Sequence, residues 1–222
     1  MNAALVRLLQ LVSPTLPVGA YTYSQGMEWA VETGVVNNEA SAQAWIGDCL
    51  RFGNARFEAV YFQHMLAAWQ LADIAHLTEL DSEFIASRES AELRAETLQM
   101  GYSLARLLAD IEPLLSAGLL SFNEPSLPLA WSCAAAIWAI PEETALTGYL
   151  WAWLENQVIA AVKSVPLGQT AGQRLLLALA AWLPQLADEI AQTPLASSRN
   201  YLPAFAIASS CHETQYTRLF RS

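Results

Sequence analysis

This sequence is poor in charge. Lys, Arg, Asp and Glu together make up 14% of its 222 residues, whereas a soluble domain ordinarily carries about 25%. So few charges cannot cover the surface of a helical protein of this size, so part of the apolar surface is expected to be covered by another chain. Basic residues are scarcer still: 11 against 21 acidic ones, a net charge of −10. That balance excludes nucleic acid as the main ligand, because phosphate contacts need a basic footprint. Cysteine is nearly absent too. Cys49, Cys133 and Cys211 are odd in number and none stands in a C-x-x-C arrangement, so no disulfide framework is expected, which fits a reducing cytoplasm.

Catalytic and metal-binding signatures are missing. His64, His76 and His212 are the only histidines, and no two stand at helical ligand spacing. Adjacent Cys211 and His212 offer the one thiol-imidazole pair for a metal; the alternative is a helix-end thiol beside a hydrogen-bonding histidine. No metal and no cofactor is expected. There is no G-x-S-x-G elbow, no P-loop and no G-x-G-x-x-G fingerprint. The apolar run Leu127–Ile140 is bounded by Pro125 and Pro141 and is too short for a membrane span of about 20 residues. The first residues lack the basic start of a signal peptide, and Arg7 interrupts their apolar run. A cytoplasmic location is expected.

What is present is helical periodicity without strand-like alternation. Residues 1–222 read as a single-domain, all-α helical bundle of roughly eight to ten helices, with residues 212–222 as a loose tail. Leu5–Val12 forms a short helix, stopped by Pro14. A stiff loop follows over 13–24, and Gln25–Glu32 is helical up to Gly34. Asn38 caps the next helix, which Gly53-Asn54 should kink or break. The segment 88–110 is the clearest amphipathic helix, with Leu93, Thr97, Met100, Leu104 and Leu108 on its apolar face and Arg88, Glu92 and Glu96 opposite. Residues 111–126 read as a connection. Pro141-Glu142-Glu143 opens a helix that is apolar on nearly every side and ends at Lys163. Pro166 and Gly168 break the chain before a helix from Gln169. Eight Trp leave two readings open, a private core or an interface.

Two segments look built to be gripped. The loop 13–24 and the helix start after it crowd Tyr21, Tyr23, Ser24, Gln25 and Glu28 together. The tail sets His212, Glu213, Tyr216, Leu219 and Phe220 beside Arg218 and Arg221. A third turn gathers Lys163, Gln169, Gln173 and Arg174 at a helix N-terminus, where a cation and two amides could meet a partner's loop. Each has a plainer reading: Ser24 as a helix cap, the tyrosines as core lids, the tail as idle chain, the turn as packing.

The run from Leu8 to Ala30, through Ser13-Pro14-Thr15-Leu16-Pro17-Val18-Gly19-Ala20-Tyr21-Thr22-Tyr23-Ser24-Gln25-Gly26-Met27-Glu28, resembles the opening of the urease accessory protein family UreF. The stretch Val162–Arg174 resembles that family's later motif, and the tail His212–Ser222 its ending. Cys211 departs from the family pattern, and residues 73–90 carry no family signature. The resemblance implies an all-α, non-enzymatic homodimer. It implies partners as well: UreD (also called UreH), the nickel-carrying GTPase UreG, and apo-urease. Together these insert nickel into urease, with UreF-type chains proposed to gate the GTPase and nickel proposed to pass through the UreF–UreD complex. Against this stand a helical small-molecule enzyme with a buried aromatic pocket, and a generic helical adaptor outside nickel metabolism.

Overall fold

The computed structural model describes residues 3–221. The first helix, α1 (Ala3–Leu11), leads into the stiff loop, which tightens into a 3-10 turn at Ala20–Thr22. Next come α2 (Met27–Glu32) and α3 (Glu39–Asp48). Asn38 caps α3 in a capping box with Ser41, which satisfies donors that a helix start leaves open. The expected break at Gly53-Asn54 does not occur. Cys49–Glu58 is instead a π-helical segment that joins α3 to α4 (Ala59–Gln70) in one unbroken rod. A widened turn accommodates Gly53, which comes so close to Leu202 that a Cβ there would lie 2.7 Å from its side chain.

The silent region 73–90 holds a helix, α5 (Ile74–Ala86), capped by Asp73. Then follow α6 (Ala91–Ile111), α7 (Leu127–Ile137), α8 (Glu142–Ser164), α9 (Gln169–Ala180), α10 (Leu183–Ala191) and α11 (Pro203–His212). With the rod counted once, the described residues hold ten α-helices and no strand, an all-α single domain.

The centre lies where α4, α7 and α8 meet. Phe62 stacks on Tyr149 at 4.6 Å between ring centres, and Trp131 meets both edge-on, an arrangement aromatic rings favour. α6 closes on α7 because Gly101 has no side chain; a Cβ there would lie 2.0 Å from the Pro125 carbonyl oxygen. The tryptophans settle toward the core reading. Trp131 and Trp138 are buried, and Trp45, Trp69, Trp151, Trp153 and Trp182 pack against the core. Among the exposed apolar residues, Leu71, Leu114, Leu115 and Leu120 lie around the α4–α5 turn and the loop after α6, which touch where Gly118 meets Trp69 and Ile74. No described helix is long and apolar enough to cross a membrane.

Candidate partner-binding surface

The two ends of the chain meet. α11 packs against α2 and α6, and α2 can start there only because Gly26 is bare. Its φ is +79°, and a Cβ would lie 2.8 Å from the Ser209 nitrogen. His212 ends α11 fully buried. Its Nδ1 lies 2.7 Å from Glu92 Oε2 and its Nε2 lies 3.2 Å from Glu28 Oε2. Each ring nitrogen thus lies within hydrogen-bond distance of a carboxylate.

The tail does not hang loose in this structure. The Leu219 N–H donates to Glu28 Oε1 at 2.6 Å and the Phe220 N–H to Glu28 Oε2 at 2.9 Å. Arg218 donates to Glu92 at 2.7 Å, and the Arg221 N–H donates to the Thr22 carbonyl. Phe220 is buried in the core. Anchors that looked like partner contacts thus fasten the chain to itself. Glu213 accepts from the Ala91 N–H at 2.7 Å, placing a carboxylate where the α6 start leaves donors open. Tyr216 and Leu219 stay exposed.

The first motif divides in the same way. Tyr23 and Ser24 are buried; burial, helped by the Glu96 charge, pushes the Tyr23 hydroxyl above its ordinary pKa. Ser24 Oγ accepts from the Glu28 N–H at 3.4 Å, but it is not the cap expected of it: α2 starts two residues later than read, and Gly26 holds the N-cap position without a side-chain bond. Gln25 takes a left-handed φ of 53°, uncommon for a residue with a side chain. Its amide offsets that strain by donating to Glu96 at 2.7 Å and accepting from Trp153 at 2.8 Å and Gln157 at 3.4 Å. Tyr21 is exposed.

Lys163 joins both motifs. Its ammonium lies 5.7 Å from the Tyr21 ring centre and 5.6 Å from that of Phe220, within cation–π reach. It forms no ion pair among the described residues, and its side chain is exposed. Arg174 has a different partner: it forks onto both oxygens of Glu39 in α3, which holds the Glu39 carboxyl below its ordinary pKa. Gln169 and Gln173 are exposed beside it on α9. One surface therefore presents Tyr21, Lys163, Tyr216, Arg218 and Leu219, resting on Tyr23, Glu28, His212 and Phe220.

Several residues of this arrangement escaped the sequence reading. Glu92 and Glu96 were expected on the polar face of their helix, yet Glu96 is buried and Glu92 braces the tail. Arg88 is held inside by Glu58. A carboxylate on a polar face looks the same whether water or a distant arginine faces it, so periodicity carries no signal for these three. Cys211 does not make a metal pair with His212, whose ring nitrogens already serve carboxylates. No cluster of three or more ligating side chains able to hold a metal occurs among the described residues.

An all-α single domain whose two ends close over a lysine at the end of α8 defines the class. A model of the UreF family matches residues 36–180. The chain is 59% identical to a urease accessory protein UreF of Azoarcus sp. (strain BH72), over 98% of this chain and 95% of that protein. It is 53% identical to one of Dechloromonas aromatica (strain RCB), over 98% and 97%. A bifunctional urease accessory protein UreEF of Bordetella bronchiseptica is 46% identical over 98% of this chain and 52% of its own length. The chain belongs to the UreF family.

Proposed function

We propose that this chain is a non-catalytic urease maturation factor of the cytoplasm. As a homodimer, with a UreD-type (UreH-type) partner, it recruits the GTPase UreG to apo-urease for nickel insertion and gates the GTPase. The observation that carries this reading is the shared surface of Tyr21, Lys163 and the tail. Three segments far apart in sequence build one exposed aromatic and basic patch on a protein of net charge −10. The residues offered to partners are Tyr21, Lys163, Gln169, Gln173, Tyr216, Arg218 and Leu219; the residues behind them hold the patch in shape. The named relatives supply the urease context, and the fusion named UreEF joins a UreF-type chain to a second accessory function.

Co-purification tests this. The full chain should capture UreD-type and UreG-type proteins of the same organism, and a Tyr216→Ala, Leu219→Ala variant that folds normally should lose them. Equal capture by both would remove the patch from the interface. The small-molecule reading draws support from one feature, a cavity lined by Trp131, Tyr149 and Trp153. Turnover by the isolated chain would favour it.

A further inference from the structure

A second, smaller pocket opens between the π-helical segment, the start of α6 and the loop that leads into α11. Gly53 lets that loop close in, because a Cβ there would lie 2.7 Å from the Leu202 side chain. π-helical turns set into α-helices often mark functional sites. The pocket measures about 30 Å³. One water needs roughly 10–15 Å³, so the space suits about two waters, or the oxygen and nitrogen of one small polar head.

Asn54 lines this pocket and is only 5% exposed. Neither the oxygen nor the nitrogen of its amide has a hydrogen-bond partner among the described residues. A buried amide left unpaired is costly, so this one calls for a group that both donates and accepts. Arg88 lines the pocket as well, and its Nε is a further buried donor without a partner. The other Arg88 nitrogens serve Glu58 and Ser87. Neighbouring polar groups are engaged: Gln25 with Glu96 and Trp153, and Asn200 with Glu89. Burial pushes the Cys49 thiol far above its ordinary pKa, so it stays neutral. A cation would face the donors of Asn54 and Arg88. An anion would leave the Asn54 oxygen without a donor, beside an Arg88 charge that Glu58 already matches at 3.3 Å. A ketone would leave the same oxygen bare. A carboxamide fits all three atoms: its N–H donates to Asn54, and its carbonyl accepts from Asn54 and Arg88 Nε. The fit survives exchange of the Asn54 oxygen and nitrogen, because two amides pair in either sense.

We propose that the pocket lined by Asn54 and Arg88 is a binding site for a neutral primary carboxamide, its head paired with the Asn54 amide and its stem toward the mouth. The ligand is either a free small amide or the glutamine or asparagine side chain of another chain. Both share one chemistry. Two waters would satisfy the same atoms and are the rival occupant.

The test titrates the full native chain with acetamide and with its isosteres acetone, acetate and acetamidinium, and follows the Asn54 side-chain and Arg88 Nε–H signals by NMR. Acetamide should shift both signals with a Kd of about millimolar, as expected of so small a ligand. Each isostere should bind about fivefold more weakly or worse, the worth of one hydrogen bond. Asn54→Leu removes the unpaired amide, should fold at least as stably, and should abolish acetamide binding. Equal binding of acetone, acetate or acetamidinium, or retained binding in a folded Asn54→Leu chain, would overturn the proposal. No shift at about 100 mM acetamide would leave water as the occupant and overturn it too. The isostere series needs only the native chain, so it decides the matter even if the variant does not fold. Acetyl-Gly-Gln-Gly-N-methylamide separates the two sources. Binding as tight as that of acetamide, lost when methionine replaces the glutamine, assigns the site to a partner's side chain. Binding of acetamide without the peptide assigns it to a free amide.

Discussion

Glu28 and His212 are 184 positions apart in the chain, and their side chains meet at 3.2 Å. The Glu28 carboxylate also accepts from the backbone of Leu219 and Phe220. One side chain in α2 therefore orients the end of α11 and clamps the tail. A charged acceptor serving N–H donors makes the stronger kind of hydrogen bond. This explains how a tail without helix or strand keeps a fixed course across the surface.

Replacing Glu28 should therefore free the tail. Glu28→Ala strands two backbone donors and one histidine nitrogen, and should cost about 1–3 kcal/mol of stability. Trypsin cleavage after Arg218 should accelerate by about tenfold or more in the native state. Urea unfolding and a digestion time course measure both. An unchanged cleavage rate would mean that Phe220 burial alone holds the tail.

Tail truncations should differ sharply by one turn of chain. Ending the chain after Gln215 removes Phe220, whose burial is worth about 1.5–3 kcal/mol, and should leave a folded, cooperative domain. Ending it before His212 also removes the buried imidazole and leaves Glu28 and Glu92 facing an unfilled space, at a further cost of about 3 kcal/mol. Thermal melts of both truncations decide this, and equal melting temperatures would contradict it.

The helices themselves were largely legible. Proline, capping residues and periodicity marked most ends, and the all-α single domain follows from them. One local reading failed for a physical reason. Gly53-Asn54 reads as a break by propensity, yet packing against Leu202 carries the backbone through as a π-helix. Residues 74–86 pack as a regular helix although nothing in them resembled the family. The surface was half legible. Tyr21, Glu28, Lys163 and the tail were picked out, but which of them face outward was not, because inward and outward aromatic groups look alike in a sequence. Phe220 is buried and Tyr216 fully exposed, four positions apart.

Asp81 should make stability depend on pH. It is buried in α5 and accepts from the Ser126 N–H at 3.2 Å at the start of α7. Burial pushes its carboxyl from an ordinary 3.8 up to about 6, and the bonds from Ser126 pull it partly back. The folded chain thus holds this proton more tightly than the unfolded one. The resulting stabilisation is complete below about pH 4 and is lost as pH rises through about 6. Asp81→Asn keeps an acceptor for Ser126 and removes the titration. Relative to the native chain, the variant should gain about 2–3 kcal/mol between pH 4 and pH 8. Parallel stability curves over that range would refute this.

Leu71, Leu114, Leu115 and Leu120 should drive association. Four exposed leucines around one end of a charge-poor bundle suit a self-complementary contact. Sedimentation at micromolar concentration should show a dimer, and Leu114→Lys with Leu115→Lys should give a monomer of unchanged helicity. A native chain that sediments as a monomer and does not aggregate would count against a homodimer.

Lys163 should matter for partners more than for folding. Its ammonium touches the Tyr21 and Phe220 rings, and such contacts at exposed sites are worth about 0.5–1 kcal/mol. Lys163→Met keeps the aliphatic stem between the rings and removes only the charge, so the melting temperature should change little. The lost charge has no carboxylate attached among the described residues, whereas Arg218 is held by Glu92. Gln169 adds an exposed amide at the start of α9. The double variant Lys163→Met, Gln169→Ala should therefore alter UreG recruitment, GTP turnover in the assembled complex, or the fidelity of nickel over other divalent ions. A supplied arginine can accelerate GTP hydrolysis by about 10³-fold or more. No such acceleration is expected here, because Arg174 is forked onto Glu39 and Arg218 is bonded to Glu92. A gate changes when hydrolysis occurs, so its loss should appear as turnover without productive urease activation. Recruitment, turnover and activation all equal to those of the native chain would reduce Lys163 to a packing residue between two rings.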